Sequence, residues 1–330
     1  MYEELSPGIF RIETPLPGSP LRALNAYLAL GRERGLLIDS GFNHPQTAEA
    51  LFSSLDALKV DLTRLDFLVT HIHSDHSGLS WTLAQKSPQS KVMMGKNDGE
   101  RLMSYLRDKK SWNDRVFAEA LRRGFSEDEL KTLTHPGIVN SADGLLNLTY
   151  IHDGGVLSYP PHSFTVMEVP GHTPGLITLY EQHTRIYISA DHILGDITPN
   201  ITAWDGIRDS LGDYLRSLDK ISRLDIARSL PGHRRVIEDT AGRILELKRH
   251  HAARLEEARG IIVRHGPLSA YDAASHMTWS MRGRDWSEYP VSQKNFAASE
   301  AAAHLDHLVC NGALEREELK DKTVYRLKKS

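Results

Sequence analysis

The feature that most constrains this chain is a short apolar run ending in a cluster of metal-ligand side chains. "LDFLV" at 65–69 leads directly into "THIHSDHSG" at 70–78. A short apolar run bounded by turn signals suits a strand buried on both faces. The cluster behind it holds His71, His73, Asp75 and His76. In extended backbone His71 and His73 point to the same side, because side chains alternate with period two. Their imidazoles can then share one cation at roughly 2.0–2.1 Å per nitrogen. Asp75 and His76 follow once the chain turns through Ser77 and Gly78 into a helix, so they aim at a neighbouring position. With 17 histidines in 330 residues, chance would produce this spacing in roughly a few chains per thousand.

A closed site needs further donors, and three later segments offer them in one format. "SFTVMEVPGHTPG" delivers His172 after a strand through a Pro-Gly turn, "RIYISADHILG" delivers Asp191 after a strand, and "ARSLPGHRR" delivers His233 through a second Pro-Gly turn. Four strand ends converge if the strands share a sheet system, and sites are built in the loops at such ends. His71, His73 and His172 are assigned to a first metal, Asp75, His76 and His233 to a second, with Asp191 bridging both. Taken singly, His233 in its turn reads as a surface residue or backbone cap, and Asp191 as a helix N-cap; the cluster at 71–76 changes that weighing.

The strand-like runs "NAYLAL", "RGLLIDSG", "LDFLVTH", "KVMMG", "SFTVMEVPGH", "RIYISADH" and "ARSLPGH" alternate with helical patterns such as "HPQTAEALFSSLDAL" and "SGLSWTLAQKS". That rhythm predicts α/β layers with helices covering sheets. "LALGRERGLLI" reads as a hairpin turning at "GRER". A helical, charge-rich segment at about 97–135 interrupts the strands as an insertion. Its apolar positions (Leu102, Tyr105, Leu106, Val116, Phe117, Ala120 and Leu121) suit packing on the domain or a wall of a substrate cleft. From about 241 three helices and a terminal hairpin follow, the layout of a winged-helix domain, giving domains at 1–240 and 241–330. The single Cys310 lies in "AAAHLDHLVCNGAL" and reads as a buried structural thiol rather than a nucleophile. "MYEELSPGIFRIETPLPG" has no signal pattern, and no apolar run reaches the roughly 18 residues of a membrane span. A cytoplasmic protein without membrane contact is expected.

"THIHSDHSG", "PGHTPG", "SADH" and "LPGH", in this order and spacing, resemble the metallo-β-lactamase superfamily over roughly residues 5–240. The resemblance implies an αββα sandwich with metals at one edge between two sheets. It also implies two divalent ions, zinc first with iron or manganese as alternatives, that lower the pKa of a shared water and stabilise the developing oxyanion. Asp75 and Asp191 are the implied catalytic carboxylates. Asp39 in "LLIDSG" matches an aspartate that orients a metal ligand, with a turn residue as the plain alternative. His192 is the one extra polar group placed to act as a proton donor, although a residue beside the bridging aspartate is expected to point away from the metals.

The substrate is less constrained. Antibiotic-degrading members are exported and lack the bridging aspartate, flavodiiron reductases carry a carboxylate where this chain has His73, and persulfide dioxygenases share the ligands around one iron. Sandwich plus winged helix resembles the β-lactamase-like protein 2 group, which includes an endoribonuclease, and "SADHILGDITPNI" with its Thr198-Pro199-Asn200 loop supports that likeness. Electrostatics weighs against RNA, since a polyanion needs a positive surface. Over 241–330, 15 Lys and Arg face 12 Asp and Glu for +3; with −3 overall, residues 1–240 carry −6. A small-molecule ester, thioester or related acyl substrate is therefore favoured, with RNA second and a non-catalytic regulator with a vestigial site last. Homodimers are common among soluble proteins, so a homodimer is the default expectation for partners of its own kind.

Overall fold

The computed structural model describes residues 1–132, 142–280 and 285–328. The end of the insertion, 133–135, lies outside the described residues. Seven strands form one sheet in chain order: β1 (Tyr2–Ser6), β2 (Ile9–Pro15), β3 (Ala23–Ala29), β4 (Gly35–Ile38), β5 (Leu65–Val69), β6 (Val92–Gly95) and β7 (Leu148–Ile151). The first four pair antiparallel, and β4 to β7 pair parallel. The second sheet contains β8 (Val156–Tyr159), β9 (His162–Glu168), β10 (Ile177–Glu181), β11 (Ile186–Ala190) and β12 (Arg228–Pro231) in the spatial order β12-β11-β10-β9-β8. The hairpin at "GRER" is present as the β3–β4 pair, with Tyr27 opposite Ile38.

Period two sorts the strand residues into three apolar layers. Leu36, Ile38 and Leu68 of one sheet meet Phe164, Val166, Ile186 and Ile188 of the other in the central layer. Leu37, Phe67 and Val69 point outward, beneath Leu51 and Leu55 of α1 (Pro45–Ala57), Leu83 of α3 (Ser80–Lys86) and Leu102 of α4 (Lys96–Arg107). A short helix, α2 (Ser74–Ser77), lies between α1 and α3 in sequence. On the opposite side Met167 and Tyr187 are covered by Leu211, Tyr214 and Leu218 of α7 (Ser210–Ile221) and Ile244 and Leu247 of α8 (Thr240–His265). The α/β layering is thus what the sequence pattern predicts, and the αββα order of the layers is what the resemblance implies. Its inner strands read as unbroken apolar runs because both faces are covered.

The insertion holds α4, α5 (Lys109–Arg123) and α6 (Glu127–Lys131). After α8 come α9 (Ala270–His276), α10 (Val291–Cys310) and a hairpin of β13 (Leu314–Glu318) and β14 (Thr323–Leu327). The segment after α4 shares a core with the C-terminal elements: Ala120, Phe125 and Leu130 pack with Ile261, Ala273, Ala298, Ala301 and Leu305. Small alanines let these helices approach closely. Cys310 is half-buried rather than fully buried, its thiol 3.6 Å from the Arg208 carbonyl. No helix among the described residues is long and apolar enough to cross a membrane.

Candidate metal centre

Both Pro-Gly turns need their glycine. Gly171 has φ 142°, and a β-carbon there would lie 2.4 Å from Cβ of Tyr214. At Gly232 it would lie 2.5 Å from Oδ1 of Asp191 and 2.8 Å from His76. Side chains of β3 hold the second turn across the sandwich: Asn25 donates to the carbonyls of Pro231 and Arg234, and the Tyr27 hydroxyl donates to Pro231 at 2.7 Å. Ala190 (φ 45°) and Asp39 (φ 62°) hold the left-handed region without being glycine. Such residues cost on the order of 1–3 kcal/mol and persist where the surroundings over-determine them.

The seven donors expected from the sequence come together. Ligand atoms of His71, His73 and His172 lie within 4.8 Å of one another, as do those of Asp75, His76 and His233. Asp191 faces both triads. Its Oδ2 is 3.7 Å from His172 Nε2 and 3.6 Å from His233 Nε2, and its Oδ1 is 3.5 Å from His76 Nε2.

Hydrogen bonds behind the rings fix which nitrogen faces inward. His172 Nδ1 donates to the Asn200 carbonyl at 2.9 Å, and His233 Nδ1 to the Ala23 carbonyl at 2.8 Å. His76 Nδ1 donates to Asp39 Oδ2 at 2.7 Å. Asp39 also accepts from the Thr70 amide and hydroxyl, both at 2.8 Å, and Thr70 Oγ1 accepts from His71 Nδ1 at 3.0 Å. Asp39 therefore orients two ligand histidines, one directly and one through Thr70, the arrangement that raises ligand basicity and fixes ring angles.

These residues fit divalent cations. His71 Nε2 and His172 Nε2 each lie 3.0 Å from His73 Nδ1. His71 and His172 turn their ring protons away to Thr70 and Asn200, so two lone pairs converge beside the His73 ring nitrogen. Nε2 of His76, Nε2 of His233 and Oδ1 of Asp191 are buried without a hydrogen-bond partner. Burial and the neighbouring imidazoles push His71 well below its ordinary range, burial and His172 bring His73 to about 3, and burial lowers His172, so this triad is neutral with free lone pairs. Around the second triad burial opposes charge, yet the carboxylates win. Asp191 and Asp75 raise His233 to about 10, while Asp39, Asp191 and Asp75 hold His76 well above its ordinary range. The carboxylates shift in turn: burial opposes ionisation, but His76 and His233 lower Asp75 to about 2 and hold Asp191 well below the usual carboxylate range. The carboxylates draw positive charge to this side of the centre, which protons on His76 and His233 supply without metal and bound cations would supply in their place.

His192 is fully buried, turned against Tyr214 with ring centroids 5.4 Å apart, and its pKa is lowered to about 3 mainly by burial. Its ring thus faces Tyr214. Three groups at the site escape sequence reading. Thr70 stands inside the quoted stretch, and the need of Asp39 for a donor was the available signal. Asp98 accepts from the amides of Ile72 (3.0 Å) and Gly175 (2.6 Å), pinning the first histidine loop to the loop of His172. Trp204 donates to the His172 carbonyl at 3.0 Å and stacks on His73 at 6.1 Å. Neither Asp98 nor Trp204 has a local pattern that announces it.

His73, Asp75, His172, Asp191 and His233 open onto a cleft of about 1120 Å³. Its walls come from Trp112 and Val116 of α5, Leu194, Ile197 and Trp204 of the loop after β11, Phe42, and Phe296 of α10. The insertion and the C-terminal helices thus line the same cleft as the donors.

A family model described as Metallo-beta-lactamase superfamily matches residues 20–233. The chain is 24% identical over 286 residues to the Beta-lactamase-like protein 2 homolog of Caenorhabditis elegans, covering 85% of this chain and 81% of that one. It is 26% identical over 249 residues to the acyl-coenzyme A thioesterase MBLAC2 of Homo sapiens, covering 70% and 80%. A crystal structure of a metallo-beta-lactamase family protein from Thermus thermophilus superposes with TM-score 0.83 at 26% identity, covering 98% of this chain and all of that one (100%).

Proposed function

This chain belongs to the metallo-beta-lactamase superfamily and is a hydrolase of that fold; on that premise we propose that its substrate is a small-molecule acyl thioester. The observation that carries the reading is the cleft: a deep, largely apolar channel opens directly onto two donor triads. Such walls suit an acyl chain, and the human relative named an acyl-coenzyme A thioesterase supports the same class. The fold implies divalent metal binding. We take each triad to hold one ion with Asp191 between them, zinc suiting the histidine and carboxylate donors. Bound there, the cations supply Lewis acidity and a water ionised near neutral pH.

The chain's own groups do the rest. Asp75, partly open to the cleft, is placed to accept a hydrogen bond from an attacking water and so to orient it. Asp39, through His76 and Thr70, keeps the imidazoles aimed during turnover. Trp204 covers His73 and limits water entry from that side. The C-terminal helices and hairpin, which we read as a winged helix, serve as a cover for the cleft, since Phe296 and Ser299 of α10 line it.

Elemental analysis of the purified protein with a panel of an acyl thioester, an aryl ester, a bis-aryl phosphodiester and a single-stranded RNA tests this. Metal-dependent turnover led by the thioester is expected. Cleavage of RNA alone, weakening steeply with salt, would sink the proposal.

A further inference from the structure

Three arginines from the insertion line one wall of the cleft: Arg101 of α4, and Arg115 and Arg123 of α5. On α5 the cleft-lining positions are Trp112, Arg115, Val116, Glu119 and Arg123, the three- and four-residue spacing of a single helix face. Their hydrogen-bond partners are uncharged. Arg101 donates to the Asp205 carbonyl at 2.8 Å, Arg115 reaches Ser104 Oγ at 3.5 Å, and Arg123 donates to Ser299 Oγ and the Ala203 carbonyl at 2.8 and 2.9 Å. Among the described residues none of the three belongs to an ion pair, whereas the two glutamates of the insertion that line the cleft are engaged elsewhere. Glu119 pairs with Arg122 at 2.9 Å and Glu100 with Lys96 at 3.8 Å. Aromatic rings brace two of the guanidinium groups: Arg101 lies 5.8 Å from the centre of Trp204 and Arg115 5.5 Å from that of Trp112. Rigid, unpaired guanidinium groups on the wall of a substrate cleft are the fork geometry that binds phosphate or carboxylate through two parallel bonds.

We propose that this wall is an oxyanion anchor for the substrate, with Arg115 as its most open contact and Arg101 as the contact nearest the donor triads. The inference rests on the thioester reading and narrows it: the thioester carries a phosphate or carboxylate distant from its scissile bond. Arg101 adjoins Trp204, which itself stacks on His73, so the anchor runs from beside the first triad outward along α5. A phosphate would sit on the leaving thiol, as in a coenzyme A thioester; a carboxylate would sit on the acyl chain.

Three thioesters separate these sources: an acyl-coenzyme A, the same acyl group on N-acetylcysteamine, and a carboxyl-terminated acyl group on N-acetylcysteamine. With Arg115→Ala and Arg101→Ala, the preference in kcat/KM for an anionic substrate over the neutral one should fall roughly tenfold or more, mostly through KM. Arg115→Lys should restore part of it, since the charge returns without the fork. The substrate whose preference collapses identifies the phosphate or the carboxylate. A preference untouched in both variants overturns the anchor while leaving the thioester reading standing. Calorimetry of the wild type and of Arg115→Ala with desulfo-coenzyme A and with glutarate gives the converse check: Arg115-dependent binding in a protein that cleaves no thioester keeps the anchor and discards the thioester. Binding that ignores Arg115 for both probes rejects the anchor.

Discussion

At the donor end of the cleft the ligand side chains follow the ends of buried strands, and His71, His76, His172 and His233 are each held from behind by a hydrogen bond. At the other end the insertion and the C-terminal helices meet through alanines and a few long side chains, with Arg123 tying Ala203 to Ser299. The first region has little freedom: moving His76 breaks its bond to Asp39, which also holds Thr70 and, through it, His71. The second can change its lining without disturbing a strand. On the proposed function, chemistry belongs to the stiff side and selection of substrate to the adaptable one.

The sharpest way to break this comparison is to remove one ligand from each triad. His172→Ala and His233→Ala should each lower bound zinc from two ions towards one and reduce turnover on the order of a thousandfold, since a metal contributes several kcal/mol. Elemental analysis beside single-turnover rates checks both. Full metal content in either variant would mean that the two triads are not separate sites. Asp39→Asn comes next. An amide NH₂ cannot accept from both Thr70 and His76, so metal affinity or activity should drop roughly 10–100-fold, measured by chelator competition. An unchanged affinity would show that the strand ends alone position the rings.

The same contrast explains what could be read in advance. The seven donors were legible because converging on a cation demands uncommon residues at set spacings, and β3, β4, β5, β6, β9, β11 and β12 were legible as apolar runs or runs leading to a turn. β7 and β8 were not: each has one fully buried residue, Ile151 and Tyr159, so neither shows a clear alternation. β10 is buried throughout but sits between the "PGHTPG" turn and the next strand without a break of its own. In the helical region the helices were readable from their period. That Phe125 and Leu130 would share a core with Ala298 and Leu305 was not, because such contacts join positions far apart in sequence. Trp204 and Asp98 escaped for the same reason.

Trp204 joins the two regions and tests the boundary between them. Trp204→Ala removes a hydrogen bond to the His172 carbonyl and the stack on His73, and kcat/KM should fall about tenfold. Phe296→Ala, 46% exposed on α10, should cost only a few-fold, and only with long acyl chains, because it removes apolar contact alone. Steady-state kinetics on short and long thioesters distinguishes them. Equal losses on both chain lengths for Phe296→Ala would place α10 outside the acyl path.

The smallest expected effect on turnover comes from Glu300, and it opposes the two regions through pH. On β5, burial works against ionising Asp66, but Arg34 at 2.6 Å, the Lys91 amide and the Tyr159 hydroxyl outweigh it and hold its carboxyl below the usual range. Its contribution to stability is present above the ordinary carboxylate range and is lost as pH falls through the depressed value. On α10 the balance reverses: burial raises Glu300 to about 7, with Arg254 at 3.8 Å too distant to offset it. A carboxyl that holds its proton more tightly when folded favours the native state in acid, and that advantage disappears as pH rises from about 4.5 to about 7. Urea midpoints across pH 4 to 8 should therefore show a decline over that window in the wild type that Glu300→Gln flattens, with turnover little changed. Asp66→Asn should instead cost about 1–3 kcal/mol near neutrality and nothing in acid. If both variants shifted the midpoint with the same sign of pH dependence, the sheet and its helical cover would not differ as their carboxyl environments indicate.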